Sequence, residues 1–144
     1  MLVIGSDHGG YRLKEAVKKY LNVRHVEFVD FGTHSEESCD YPIIAQKVGE
    51  AVAAGEFEKG ILICGTGIGI SIAANKVKGV RAALCGDCFS AKYTRMHNDA
   101  NILCLGGRVI GAGLASEIVE IFLNTPFEGG RHLRRIELIS EMEK

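Results

Sequence analysis

"KGILICGTGIGISIAANK" (59–76) decides the fold. Its opening, "KGILICG" (59–65), is apolar at alternate and intervening positions alike, the pattern of a strand covered on both faces. Its close, "ISIAANK" (70–76), predicts a short helix. Gly65, Gly67 and Gly69 fall where strand becomes helix. Glycines there let backbone N–H groups converge on an anion. A Walker A loop is excluded because no Gly-Lys-Ser/Thr follows. A dinucleotide fingerprint fails as well, because its third glycine would fall on Ile70 or Ile72. The loop also begins with a cysteine, Cys64, which neither motif needs.

The same alternation runs outward in both directions. Strands are expected at 1–5, 25–32, 59–65, 80–86 and 101–107. Helices are expected at 11–21, 41–55, 70–76, 87–98, 113–125 and 132–144. Pro42 suits the first turn of one helix, Gly55 follows its end, and Asp87 is a natural N-cap. Strands alternating with helices give a parallel sheet with right-handed crossovers. The expected fold is one doubly wound (Rossmann-like) α/β domain over residues 1–144, with five parallel strands and a C-terminal helix. The expected strand order is 2-1-3-4-5, with the switch point between strands 1 and 3.

Composition narrows the function. The 144 residues are 47% hydrophobic with a formal net charge of −1, so nothing favours nucleic acid or an anionic membrane surface. No apolar run is long enough to span a bilayer, and "MLVIGSDHGG" does not read as a signal peptide. Five cysteines in no regular framework fit a reducing, cytoplasmic location. Cys85 and Cys88 form a lone C-x2-C, too little for a zinc site, and are expected to be structural.

Open parallel sheets bind ligands beyond the carboxyl ends of their strands at the switch point. The turns to read are "GSDHGG" (5–10) and "CGTGIGIS" (64–71). Cys64 stands at the mouth of a potential anion site, where N–H dipoles favour a thiolate. It can equally be a buried strand-end thiol packed as a small hydrophobe. A C-x5-R phosphatase loop would need arginine where Ile70 stands. Asp7 and His8 can move protons at a strand end, or Asp7 can cap the following helix. His97 and Asn98 form a polar pair that would also serve as a helix C-terminus. Arg131 and Arg135, four apart, can grip a phosphate together, whereas Arg134 reads as solvated charge.

Taken together, "SDHGGYRLKE", "DYP" (40–42), "CGTGIGISIAANK", "HNDANIL", "LGGR" and "RHLRRI" resemble the ribose-5-phosphate isomerase B family. That family includes galactose-6-phosphate isomerase subunits, and the resemblance spans essentially the whole chain. It implies a metal-free, cofactor-free aldose–ketose isomerase of the pentose phosphate pathway. By resemblance Cys64 is the proton-abstracting base, since the glutamate that some relatives use is replaced by Ile70. Asp7 and His97 match residues implicated in opening the sugar ring. Gly65, Thr66, Gly67, Ile68, Gly69, Ile70 and Ser71 match the loop around the enediolate oxygens, with Asn98 assisting and the Thr66 hydroxyl orienting the sugar. His8, Arg108, Arg131 and Arg135 match the phosphate cradle. The sugar stays open among ribose, allose and galactose phosphates. A non-enzymatic, flavodoxin-like ligand sensor and a redox or phosphatase enzyme using Cys64 are the alternatives from other classes.

Topology adds a partner. The helix at 87–98 starts at the carboxyl edge of the sheet and runs back about 18 Å. His97 and Asn98 therefore end at the far edge from their own Cys64. A homodimer, or an oligomer built from dimers, with sites shared between chains would bring them together. The stripe of Leu133, Ile136, Ile139 and Met142 is the expected part of the seam.

Overall fold

In the computed structural model, which describes residues 1–144, the chain folds as a five-stranded parallel sheet between two helical layers. The strands are β1 (Leu2–Ser6), β2 (Phe28–Asp30), β3 (Lys59–Cys64), β4 (Ala82–Leu84) and β5 (Ile102–Gly106). The helices are α1 (Tyr11–Val23), α2 (Tyr41–Ala53), α3 (Ile68–Ala74), α4 (Cys88–Tyr93), α5 (Ala112–Asn124) and α6 (Arg131–Glu141). A 3-10 turn (His8–Gly10) joins β1 to α1, and a π turn (Thr94–Asn98) extends α4.

The period-two alternation of strand side chains sorts the core into two faces. Leu2, Ile4, Ile61, Ile63, Leu103 and Leu105 point into the layer holding α1, α4 and α5. Val3, Leu62, Cys64, Ile102 and Cys104 point into the layer holding α2 and α3. Asp87 caps α4 as expected, its side chain accepting from the Ser90 N–H at 2.6 Å.

The doubly wound α/β class holds, but the expected order 2-1-3-4-5 does not. The observed order is β2-β1-β3-β5-β4. The physical reason lies in the two strands themselves. All five residues of β5 are buried, so it needs a neighbour on each side and packs between β3 and β4. β4 has three residues, none of them buried, and Leu84 is 41% exposed. A short, half-covered strand suits an edge. The helix expected at 87–98 is also broken. Buried Arg95 donates to Asp99 Oδ1 and the Ala100 carbonyl, both at 2.7 Å, and to the Thr125 carbonyl at 3.2 Å. These bonds draw the segment into the π turn, which closes at Asp99 with φ of 45°.

Register fixes where a site can lie. Ser6 pairs with Ile63 and Cys64 with Gly106, so β1, β3 and β5 end together at one edge. The β2–α2 connection folds back onto that edge, the Ser6 N–H donating to the Gly32 carbonyl and the Thr33 N–H to the Ser6 carbonyl. Its anchor is Lys14, whose side chain is fully buried. The Lys14 ammonium donates to both Asp30 oxygens at 2.7 Å and to the Thr33 carbonyl at 2.6 Å.

Asp30 links this anchor to pH. Burial on its own raises the Asp30 carboxyl, but hydrogen bonds from Lys14, Lys18 and the Gly32 N–H outweigh it and hold the group below the usual carboxylate value. A depressed folded value stabilises the fold above the unfolded value, and that share is lost as pH falls through the folded one. Asp30→Asn leaves Lys14 buried without its charge partner and should cost roughly 3 kcal/mol at pH 7 in urea denaturation. The gap to wild type should narrow below about pH 4. A gap that stays constant down to pH 3 would contradict this assignment.

Candidate active site

The carboxyl edge assembles three turns. Asp7, 6% exposed, follows β1 directly and accepts the Gly10 N–H on Oδ1 at 3.1 Å. It therefore caps the 3-10 turn, and Oδ2 makes no hydrogen bond within the protein. His8 is half-buried, and its Nδ1 accepts the Cys39 N–H at 3.2 Å. An Nδ1 that accepts carries no proton, so in the neutral ring the proton is on Nε2, a donor for a ligand.

The second turn follows β3. Cys64 is 5% exposed, and its Sγ accepts the Gly67 N–H at 3.1 Å. Gly67 has φ of +80°, and a Cβ there would meet the Leu105 carbonyl carbon at 2.8 Å, so only glycine lets the loop cross β5 this closely. The Ile68 N–H donates to Thr66 Oγ1 at 3.1 Å, and the Ser71 N–H makes the first helical bond, to Gly67. The N–H groups of Gly69 and Ile70 fall in the first turn, where no earlier helical carbonyl can accept them. Ile70 is fully buried, so of this residue the backbone alone can face a ligand. The Ser71 hydroxyl donates to the Ile68 carbonyl at 2.7 Å.

The third turn follows β5. The Gly107 N–H donates to the Cys64 carbonyl at 2.8 Å, and the Arg108 N–H to the Gly65 carbonyl at 2.9 Å. Arg108 Nη1 lies 3.2 Å from where a Cβ on Gly65 would stand. Asp7, His8, the 64–71 loop and Arg108 thus share one edge; the strand pattern put the two turns there, while Arg108 entered by resemblance alone.

His97, Asn98, Arg131 and Arg135 are elsewhere. The Asn101 N–H donates to Arg81, just before β4, and its carbonyl accepts from Gly60 at the start of β3. The π turn that precedes Asn101 therefore sits at the amino edge. There the His97 and His132 rings stack with centroids 4.1 Å apart and planes 12° apart. His97 Nε2 is 3.8 Å from Glu128 Oε2. Asn98 Oδ1 accepts from the Thr94 hydroxyl at 3.1 Å. Arg131 begins α6, and ion pairs engage Arg12, Arg24, Arg81 and Arg95 but none of Arg108, Arg131, Arg134 and Arg135. Ile136 of α6 is 7% exposed and packs inward, whereas Leu133 and Ile139 of α6 and Met142 just beyond it are 49%, 46% and 83% exposed.

Three participants escaped the reading of the sequence. The Tyr41 ring lies against Gly69, where a Cβ would come within 2.7 Å of it. The Cys39 N–H sets the His8 tautomer, and a backbone group leaves no residue signature. His132 stacks on His97, although "RHLRR" displayed it between the arginines. Three of the remaining cysteines have raised thiols. Burial, then Asp87, pushes the Cys85 thiol up to about 11, and burial raises Cys88 and Cys104 as well. All five are free thiols.

Comparison with known proteins places this geometry. A family model described as ribose/galactose isomerase matches residues 2–139. A ribose-5-phosphate isomerase B of Escherichia coli is 50% identical, covering 99% of this chain and 96% of that protein. A putative sugar phosphate isomerase of Bacillus subtilis is 54% identical, covering 99% and 97%. Among solved structures, Clostridium thermocellum ribose-5-phosphate isomerase B superposes with a TM-score of 0.97 at 56% identity, covering 99% and 96%. The Mycoplasma genitalium enzyme with bound ribulose-5-phosphate gives 0.93 at 42% identity, covering 99% and 95%.

The closeness of the first two turns is open to test. A Cβ on Gly10 would lie 2.3 Å from the Ile63 carbonyl oxygen, whereas one on Gly86 meets nothing within 4 Å. Gly10→Ala should destabilise by about 1–3 kcal/mol in denaturant unfolding. Gly86→Ala should stay within about 0.5 kcal/mol of wild type. Equal effects would mean that the 3-10 turn does not press on β3.

Proposed function

Because the chain belongs to the ribose/galactose isomerase family, we propose that it interconverts ribose 5-phosphate and ribulose 5-phosphate, with Cys64 as the general base. The observation that carries this reading is the Cys64 sulfur, which accepts the Gly67 N–H, at the start of a loop that runs into the first turn of α3. Aldose–ketose isomerisation removes a proton from the carbon next to the carbonyl and returns one to the neighbouring carbon. The intermediate is an enediolate, whose oxyanion needs fixed donors. The first-turn N–H groups of Gly69 and Ile70 supply them, each such donor being worth about 3 kcal/mol of barrier.

In the open-chain aldose, the Cys64 thiolate takes the C2 proton and electron density moves to O1. The thiol then protonates C1 as the O2 proton passes to O1 and the C2 carbonyl forms, leaving the ketose with a C1 hydroxyl and restoring the thiolate. Before this step Asp7 accepts the proton of the anomeric hydroxyl and His97 donates one to the ring oxygen. The His8 Nε2–H, Arg108, Arg131 and Arg135 hold the phosphate, which keeps both reacting carbons within reach of one sulfur. No step needs a metal or an organic cofactor. Six-carbon aldose phosphates are the second substrate class, since the matching family also covers galactose isomerases.

This chemistry needs two chains. Asp7, His8, Cys64 and Arg108 stand at the carboxyl edge, and His97, Asn98, Arg131 and Arg135 cluster with the amino edge. A two-fold dimer that sets one edge against the other would build two complete sites. The exposed Leu133, Ile139 and Met142 support such a seam on α6. No helix is long and apolar enough to cross a membrane. The compartment we assign is the cytoplasm, where Cys64 stays reduced.

The test is ribulose 5-phosphate formation from ribose 5-phosphate in chelator-treated buffer. Cys64→Ala should lower turnover by about 100-fold or more while sugar-phosphate binding persists. Retention of more than about a tenth of wild-type turnover would remove Cys64 from the role of base.

A further inference from the structure

We propose that His97, Glu128 and His132 form a binding site for a divalent transition ion of the Zn²⁺ class, and that its occupation withdraws His97 from sugar-phosphate chemistry. Their ligand atoms all lie within 4.8 Å of one another. Two imidazoles and one carboxylate are a borderline nitrogen and oxygen set, suited to Zn²⁺ rather than to Mg²⁺ or Ca²⁺, which prefer all-oxygen shells.

Three separate elements carry the ligands, and backbone bonds hold them together. His97 lies in the π turn that buried Arg95 ties down. Glu128 lies in the α5–α6 connection, and its N–H donates to the Met96 carbonyl at 3.0 Å. His132 lies in the first turn of α6, its N–H bonded to the Gly129 carbonyl at 3.1 Å, and is 6% exposed.

Loading requires a modest rearrangement. Bonds of about 2.0–2.1 Å in a tetrahedral site place ligand atoms roughly 3.3 Å apart. The stacked rings must fan out from their near-parallel planes. Glu128, 51% exposed at its side chain, can swing in. The fourth position stays open to water. Arg131 and Arg135 oppose a cation nearby, so affinity rests on the ligand bonds and on the Glu128 charge. His97 thereby acquires two competing uses, one in ring opening and one as a metal ligand. The inhibitory half of the proposal rests on the isomerase reading above, while the binding half does not.

The experiment titrates Zn²⁺ into the metal-stripped, reduced protein against a chromophoric chelator, with Co²⁺ as a spectroscopic probe. Wild type should bind one equivalent per chain. Glu128→Gln and His132→Asn should each weaken binding by more than tenfold, since even outer-shell changes cost about 10- to 100-fold. Cys64→Ala should bind as wild type does, and bound Co²⁺ should show d–d bands without a thiolate charge-transfer band. Absence of stoichiometric binding, equal affinity in the two ligand variants, or loss of binding in Cys64→Ala overturns the site. Isomerase turnover should fall on Zn²⁺ addition and return with chelator. Stoichiometric binding with unchanged turnover in an active preparation overturns the inhibitory role. Zinc binding in a preparation with no isomerase activity supports the site while refuting the function assigned above.

Discussion

The polarity of the parallel sheet governs everything else in this molecule. All strands point the same way, so each connection between strands must carry the chain back, and the two sheet edges acquire different chemistry. The shared ends of β1, β3 and β5 gather Asp7, His8, Cys64 and Arg108 at one edge. The return through α4 delivers His97 and Asn98 to the other. Neither set is complete for the chemistry proposed. The separation is built into the backbone rather than into any side-chain choice, so no rotamer change within one chain can undo it.

Around Cys64 the backbone is as specific as the side chains. The Gly67 N–H meets the sulfur, the Gly107 N–H meets the Cys64 carbonyl, and the Cys39 N–H meets His8. The turn at Gly67 passes so close to Leu105 that a side chain would be excluded. Lys14 extends this ordering outward. It is on the buried face of α1 with no exposed surface, yet it fixes the 30–33 segment that leads to Cys39. Burial raises the Cys85, Cys88 and Cys104 thiols. The Cys64 sulfur accepts a backbone N–H.

Much of this was legible in the sequence because two periodicities report it. The strand–turn–helix reading of 59–76 and the double-sided apolar strands specify a covered parallel sheet. Glycine spacing locates the loop that follows β3. The order of β4 and β5 was not legible from chain order alone, because adjacency follows burial demand. "ILCLG" needs cover on both sides, and "AAL" does not. The π turn was hidden because Arg95 reads as a surface charge, whereas it is buried on the Asp99, Ala100 and Thr125 oxygens. Tyr41 and His132 act through contacts between residues distant in sequence, which a helical period cannot disclose. The Arg131 and Arg135 spacing was visible, but not that His132 between them would stack on His97.

The central claim is that one working site takes Cys64 from one chain and His97 from another. Its most direct measurement is complementation between two inactive variants. Cys64→Ala and His97→Ala are mixed, subunit exchange is verified, and ribose 5-phosphate turnover is followed. A hybrid dimer holds one site with both residues intact and one with neither, so activity should return to about half of wild type per hybrid. Verified exchange with no return of activity would contradict the shared site.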